Sequence, residues 1–138
     1  MTDDSDKDHL FVYGTLRRAS HHPLASLLAD NAEWLGFADF RGQLFEIGPY
    51  PGAIPSHDTK HRIRGEVYRL RDPATLLPQL DHYEGFGEAF PKPNEFVREM
   101  REVLLEGCPL KAWIYLYNHP IDNLALLGHD YLLPAQDV

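Results

Sequence analysis

The feature that most constrains this chain is a short apolar run, Leu10-Phe11-Val12-Tyr13, which ends at Gly14. An unbroken run of this length, partly aromatic and β-branched, predicts a strand that is buried on both faces. Gly14 then either adopts a positive φ or lets another group press against the backbone. Thr15 and Arg17 follow with a hydroxyl and a cation, so this strand end can hold an anion such as a carboxylate; an ordinary turn is the alternative.

Length and charge exclude several classes of protein. The chain has 138 residues and a net charge of −8, from 21 acidic and 13 basic residues. An acidic protein of this size is expected to bind neither nucleic acid nor an anionic membrane without specificity. No apolar stretch reaches the roughly 18 residues of a membrane span. We therefore expect one domain over residues 9–138, with a small molecule as its partner.

The ends and the single cysteine indicate the compartment. Residues 1–8 form an acidic, polar leader, which we expect to be disordered and which lacks the basic and apolar parts of a secretion signal. Cys108 has no second cysteine for an internal disulfide, which fits a reducing cytoplasm. Because Cys108 precedes Pro109, we interpret it as a structural residue of a turn.

The remaining patterns predict an α+β fold. A short helix is expected at Pro23–Ala29, a second helix from about Leu77 to Gly85, and one helical turn at 73–76 between Asp72, a possible N-cap, and the second helix. Strands are expected at 63–70, 95–105 and 110–117, with bent and bulged β-structure over 33–55. Strands in this order form a mostly antiparallel sheet, which we predict closes into a small β-barrel flanked by two or more short helices.

Glu84 is the most informative acid in the sequence. Leu77, Leu80 and Glu84 have the i, i+3, i+7 spacing that places side chains on one face of a helix, here the face that packs inward. Burial raises the pKa of a carboxyl group, and the negative end of the helix dipole acts in the same direction. A carboxyl group of raised pKa suits general acid–base catalysis near neutral pH. The alternative is a helix-end residue that extends into water.

Other patterns in the sequence are weaker evidence for a functional site. His21 and His22 form a potential metal pair, but no further ligand lies at a recognisable spacing, so solvated histidines are the better interpretation. No phosphate loop, dinucleotide fingerprint or nucleophile elbow is present, and we expect neither a metal nor a cofactor. Tyr115 is either a core residue or a phenol that orients a substrate. Arg98 is expected to pair with Glu99, Glu102 or solvent.

Five short motifs, in order over residues 9–118, resemble the gamma-glutamylcyclotransferase-like family. They are Phe11-Val12-Tyr13-Gly14-Thr15-Leu16-Arg17, Gly42-Gln43-Leu44-Phe45-Glu46-Ile47-Gly48-Pro49-Tyr50-Pro51, Arg64-Gly65-Glu66-Val67-Tyr68, Leu80-Asp81-His82-Tyr83-Glu84-Gly85 and Ala112-Trp113-Ile114-Tyr115-Leu116-Tyr117. The resemblance implies a small mixed β-barrel with a cavity at one end and no cofactor.

The resemblance also implies roles for individual residues. The loop from Tyr13 to Leu16, followed by Arg17, would bind the γ-glutamyl part of a substrate, with Tyr115 as a further contact. Glu84 would be the acid–base residue of a reaction in which the substrate's α-amine attacks its γ-carbonyl and releases 5-oxoproline and an amine. A binding module for a small carboxylated ligand, or another acyl chemistry in the same cavity, are the alternatives.

Three departures from the family pattern concern the substrate rather than the reaction. Phe96 stands where many members have a tyrosine, so a hydroxyl contact is lost. The loop 86–94 is rich in proline, and residues 128–131 match the family's C-terminal motif only loosely. The sequence specifies neither the leaving group that is accepted nor the oligomeric state.

Overall fold

The computed structural model of this chain describes residues 4–20 and 22–130. His21, half of the histidine pair considered above, and Tyr131 lie outside the described residues. The elements in chain order are β1 (His9–Val12), α1 (Pro23–Asn31), β2 (Ala32–Glu46), β3 (Pro51–Pro55), β4 (Arg62–Leu70), α2 (Pro73–Glu84), β5 (Phe96–Leu105), β6 (Cys108–Tyr117) and β7 (Ala125–Leu126).

Five strands close into a barrel in the order β2-β4-β1-β6-β5, and β5 pairs with β2 to complete the ring. All neighbours are antiparallel except β1 and β6, which run parallel with Leu10 opposite Trp113. The closing pair places Ala38 opposite Leu105. β3 and β7 pair with the far end of β2, outside the ring. The predicted α+β fold with a small, mostly antiparallel barrel is confirmed.

The long strand β2 bends as the pattern predicts. Its register against β4 shifts between Trp34 and Gly36, where Gly36 has a φ of 148°. A bulge of this kind increases the local twist of the strand. β2 pairs with β4 up to Arg41 and with β3 from Gly42 onwards, so one strand of 15 residues serves both the barrel and the outer hairpin.

Strand β1 is buried on both faces, as its apolar run predicts. Leu10 and Val12 belong to one apolar cluster, which includes residues of both helices. Phe11 belongs to a second cluster formed by the strands, which includes Ile63 and Ile114. The barrel interior and the layer beneath the helices are therefore two cores that share β1.

Helix α2 differs from the prediction at its start. It runs without a break from Pro73, so Pro78 lies inside the helix. A proline there removes only the hydrogen bond to the carbonyl of Ala74, and burial of Leu77 and Leu80 against the barrel compensates. The Asp72 side chain makes no cap hydrogen bond to the backbone, contrary to its predicted role.

The first and the last described segments both contact the barrel. Asp4–Asp8 form a 3-10 helix. The indole Nε1 of Trp113 donates to the carbonyl of Lys7 at 3.0 Å, which joins this segment to β6. Near the other end, the Arg64 amide donates to the carbonyl of His129 at 2.6 Å. Within residues 4–20 and 22–130, no helix combines the length and apolarity that a membrane crossing requires.

The hairpin between β5 and β6 is tighter than predicted. Glu106 and Gly107 alone form the turn, both with positive φ, as a two-residue hairpin requires. Cys108 is therefore the first residue of β6 instead of a turn residue, and its thiol is free and exposed.

Candidate active site

A cavity of about 150 Å³ lies between the turn after β1, the C-terminal end of α2 and the start of β5. A cavity of this volume has room for a ligand of about the size of a benzene ring. Its lining residues are Phe11, Val12, Tyr13, Gly14, Thr15, Leu16, Tyr50, Pro51, Tyr83, Glu84, Glu95, Phe96 and Tyr115.

The turn after β1 forms one wall of this cavity. The Arg17 amide donates to the Gly14 carbonyl at 3.0 Å, so Thr15 and Leu16 are the central residues of a β-turn and do not use their N–H groups within it. A Cβ at Gly14 would lie 2.8 Å from Cγ of Pro51. Gly14 is therefore required by the close approach of Pro51, which is one of the two explanations that the sequence left open.

Tyr13 lines the cavity, but its hydroxyl is already engaged. The hydroxyl donates to the carbonyl of Tyr115 at 2.6 Å and accepts from the amide of Ala53 at 3.2 Å. Burial, with a smaller contribution from the charge of Glu84, raises the pKa of this phenol. The Tyr13 side chain thus ties β1 to β6 and β3 and fixes the start of the turn.

Arg17 does not line the cavity, so its predicted substrate contact is corrected. Its guanidinium is 3% exposed and contacts two buried carboxylates, Glu66 at 2.8 Å and Asp130 at 2.6 Å. The other Glu66 oxygen accepts from the indole of Trp34 and the amide of Arg18, both at 3.1 Å. Arg17 therefore anchors the turn to the buried carboxylates of Glu66 and Asp130.

Glu84 is the last residue of α2 and its half-buried side chain lines the cavity. The helix ends in a Schellman motif, in which the amides of Gly85 and Phe86 bond the carbonyls of His82 and Asp81. Gly85 has a φ of 73°, which glycine adopts without steric cost. Burial raises the pKa of Glu84 to about 8, with smaller contributions from the negative charges of Glu95 and Asp81.

A second carboxylate, Glu95, faces the same cavity and was missed by the sequence analysis. It accepts a hydrogen bond from the hydroxyl of Tyr50 at 2.8 Å. Burial and this bond raise the pKa of Tyr50 to about 12, so Tyr50 stays protonated and donates. The ring of Phe96 lies 5.9 Å from that of Tyr50. Tyr50 belongs to a dense set of turn residues and Glu95 begins a strand, so neither had a distinctive pattern.

Behind Glu84, a partly buried ion pair joins α2 to β5. Arg98 contacts both oxygens of Asp81, at 2.7 and 3.1 Å, which corrects the expected pairing of Arg98 with Glu99 or Glu102. The hydroxyl of Tyr115 donates to Asp81 at 2.7 Å. Tyr115 therefore lines the cavity, while its hydroxyl donates a hydrogen bond to Asp81.

The cavity thus combines a protonatable acid with a wall of backbone donors. Its described lining contains two carboxylates and no lysine, arginine or histidine. Among the residues that the structure describes, no three His, Cys, Asp or Glu side chains are grouped to hold a metal ion. Proton transfer by Glu84, next to an anion-binding turn, is the chemistry that these residues can perform.

Comparison with known proteins is consistent with this geometry. The family model described as gamma-glutamyl cyclotransferase, AIG2-like, matches residues 10–133. The gamma-glutamylcyclotransferase family protein YtfP of Escherichia coli K12 is 39% identical over 119 residues, which cover 86% of this chain and 89% of YtfP. The solution structure of ytfP from Escherichia coli superposes with a TM-score of 0.60 at 30% identity, over 94% of this chain and 99% of that chain. An AIG2-like protein from Mus musculus shares the fold, with a TM-score of 0.64 at 23% identity over 82% and 80% of the two chains.

Proposed function

Because this chain belongs to the AIG2-like gamma-glutamyl cyclotransferase family, we propose that it converts a γ-glutamyl amine, amide or peptide into 5-oxoproline and a free amine, with Glu84 as general acid and base. The observation that carries this proposal is the presence of Glu84 in the same cavity as the turn at Gly14–Arg17, with a pKa raised to about 8.

The reaction needs one proton carrier and no other reactant. The α-amine nitrogen attacks the γ-carbonyl carbon and gives a proton to the Glu84 carboxylate. Glu84 then delivers this proton to the leaving nitrogen, and the bond between that nitrogen and the γ-carbon breaks. Because the nucleophile and the electrophile belong to one molecule, holding the substrate in a bent conformation supplies much of the rate enhancement.

The raised pKa suits both steps. At pH 7 about a tenth of Glu84 is ionised, so the residue can accept a proton and, once protonated, is a competent acid for a departing amine. The N–H groups of Thr15 and Leu16 in the β-turn are suited to stabilise the oxyanion that forms on the γ-carbonyl.

A panel of γ-glutamyl compounds, with release of 5-oxoproline as the readout, tests the proposal. Wild-type protein should turn over at least one of them. Glu84→Gln should lower kcat by at least about a hundredfold, because an amide cannot carry the proton and the other lining carboxylate, Glu95, is hydrogen-bonded to Tyr50. The variant should melt no lower than wild type, because a neutral amide next to the negative charges of Glu95 and Asp81 is no less favourable than the carboxyl group of Glu84.

The outcomes separate an enzyme from a binding protein. A ligand that raises the melting temperature of wild type but yields no 5-oxoproline would indicate a binding module. Turnover that persists in Glu84→Gln would remove this residue from the mechanism. His82→Gln, an exposed change two residues earlier in α2, serves as the matched control and should leave turnover unaltered.

A further inference from the structure

Three polar side chains from three parts of the chain meet at the edge of the cavity. The Thr15 hydroxyl, in the turn after β1, lies 3.2 Å from the hydroxyl of Tyr83 on α2. The Tyr83 hydroxyl also lies 3.3 Å from Nε2 of His22, the residue that precedes α1. Thr15 and Tyr83 both line the cavity, and Tyr83 is 39% exposed, so this chain of contacts lies at its mouth.

The helix cap determines which His22 ring nitrogen carries the proton. The amide of Leu24 donates to Nδ1 of His22 at 3.1 Å, so Nδ1 carries no proton. A neutral imidazole then has its proton on Nε2, which donates to the Tyr83 oxygen. The Tyr83 oxygen then acts as an acceptor towards His22, which leaves the Tyr83 proton available to the Thr15 oxygen at 3.2 Å.

This arrangement determines the hydrogen bonds that Thr15 can make. Its oxygen accepts from Tyr83, which leaves the Thr15 proton to be donated elsewhere. We propose that Tyr83 and His22 are positioning residues, which make the Thr15 hydroxyl a hydrogen-bond donor to the α-carboxylate of a γ-glutamyl substrate. This inference rests on the proposed function, because it assumes that a γ-glutamyl compound is the ligand.

The lining of the cavity explains why a carboxylate is the group in question. The described lining has no basic side chain that could bind a carboxylate, so a carboxylated ligand has to find its hydrogen-bond donors elsewhere in the wall. The turn around Thr15, with its N–H groups and this hydroxyl, is the part of the wall that donates hydrogen bonds. A Thr15 hydroxyl that donates its hydrogen bond to the ligand therefore favours a ligand with an oxyanion next to Thr15.

Two ligands that differ only in the α-carboxylate test this assignment. Dissociation constants for L-γ-glutamylmethylamide and for 4-amino-N-methylbutanamide, which lacks the carboxylate, are measured by calorimetry in the Glu84→Gln background to prevent turnover. Tyr83→Phe keeps the ring against His22 and removes the hydroxyl. It should weaken binding of the first ligand about threefold to tenfold and leave the second unchanged.

Matched variants separate positioning from simple structural support. His22→Asn keeps an efficient helix cap but loses the Nε2 donor, and should weaken the first ligand in the same direction by about twofold to threefold. Thr15→Ser should restore what Thr15→Val loses. His82→Asn, on the exposed side of the same helix, should bind both ligands as the background protein does. In the wild-type protein, ¹⁵N shifts of His22 should report the Nε2–H tautomer.

Each result decides the matter. The inference is overturned if Tyr83→Phe affects both ligands equally or affects neither. It is also overturned if His22 has the Nδ1–H tautomer, or if L-γ-glutamylmethylamide does not bind. If wild-type protein binds that ligand yet releases no 5-oxoproline from the panel, the proposed function fails. The comparison of the two ligands then still decides the role of Tyr83.

Discussion

Two carboxyl groups in one cavity determine how this site responds to pH. The charge of Glu95 raises the pKa of Glu84, after the larger effect of burial. If Glu84 acts as the base, kcat/KM should rise with pH and level off above about pH 8. Glu95→Gln removes one of the two negative charges, so the ionised form of Glu84 becomes easier to reach. We expect the inflection of the kcat/KM profile to move to lower pH, by about one unit or less.

Glu88→Gln is the control for this shift. Glu88 is exposed on the loop after α2 and pairs with Lys92, so its removal should leave the inflection where it is. An unchanged profile in Glu95→Gln would mean that the two carboxyl groups do not interact in solution. A shift to higher pH would mean that loss of the bond from Tyr50 dominates.

For individual residues, the sequence predicted the structure well where the relevant pattern is local. The spacing of Leu80 and Glu84 predicted the cavity-facing side of α2, because a helix repeats every 3.6 residues. The partners of Arg17 could not be predicted in this way, since Asp130 lies 113 residues away in the sequence. A cation after a strand suggests an anion, but only the folded chain decides that the anion is a buried side chain.

Among the elements, the end of α2 needs a glycine for its backbone conformation alone. Gly85 adopts a φ of 73°, and a Cβ there would meet nothing within 4 Å, so strain of the backbone is the only penalty for a side chain. We expect Gly85→Ala to lower the free energy of unfolding by about 1 kcal/mol in urea titrations. Gly48 is equally open and has no positive φ, so Gly48→Ala should be neutral or slightly stabilising. Equal effects of the two substitutions would contradict this explanation.

The buried cluster of Arg17, Glu66 and Asp130 joins three separate segments of the chain. Arg17→Met removes the guanidinium from two buried carboxylates, and we expect it to lower the free energy of unfolding by about 3 to 5 kcal/mol. The exposed pair between Arg69 and Glu33 provides the comparison: Arg69→Met should cost less than about 1 kcal/mol. If urea titrations gave the two variants the same stability, the buried cluster would not be the anchor of the turn.

A helix or strand could be predicted well when the residues that determine it lie within its own segment of the sequence. The apolar run of β1 predicted a strand that is buried on both faces, and β1 lies between β4 and β6 in the barrel. The start of α2 was predicted four residues late because an interior proline normally disfavours a helix, whereas burial of the leucines around Pro78 outweighs that cost here. Such compensation depends on the rest of the barrel and is not visible in the segment.

The whole molecule is held by pairings between distant parts of the chain. The parallel pair β1–β6 and the closing pair β2–β5 both join the first third of the sequence to the last. Chains with many such pairings fold slowly, because loop closure precedes the contacts that stabilise it. We expect refolding from urea, followed by tryptophan fluorescence in a stopped-flow instrument, to take milliseconds to seconds. A main phase in microseconds would contradict this dependence on topology.

The same parallel pair has a consequence during synthesis on the ribosome. Leu10 is translated 103 residues before its partner Trp113, a delay of about 5 to 20 seconds at ordinary rates of elongation. Until then one edge of β1, among the most apolar segments of the protein, has no strand beside it. The nascent chain is therefore expected to expose an aggregation-prone edge until nearly all of it has been made, and to depend on chaperones that protect such edges.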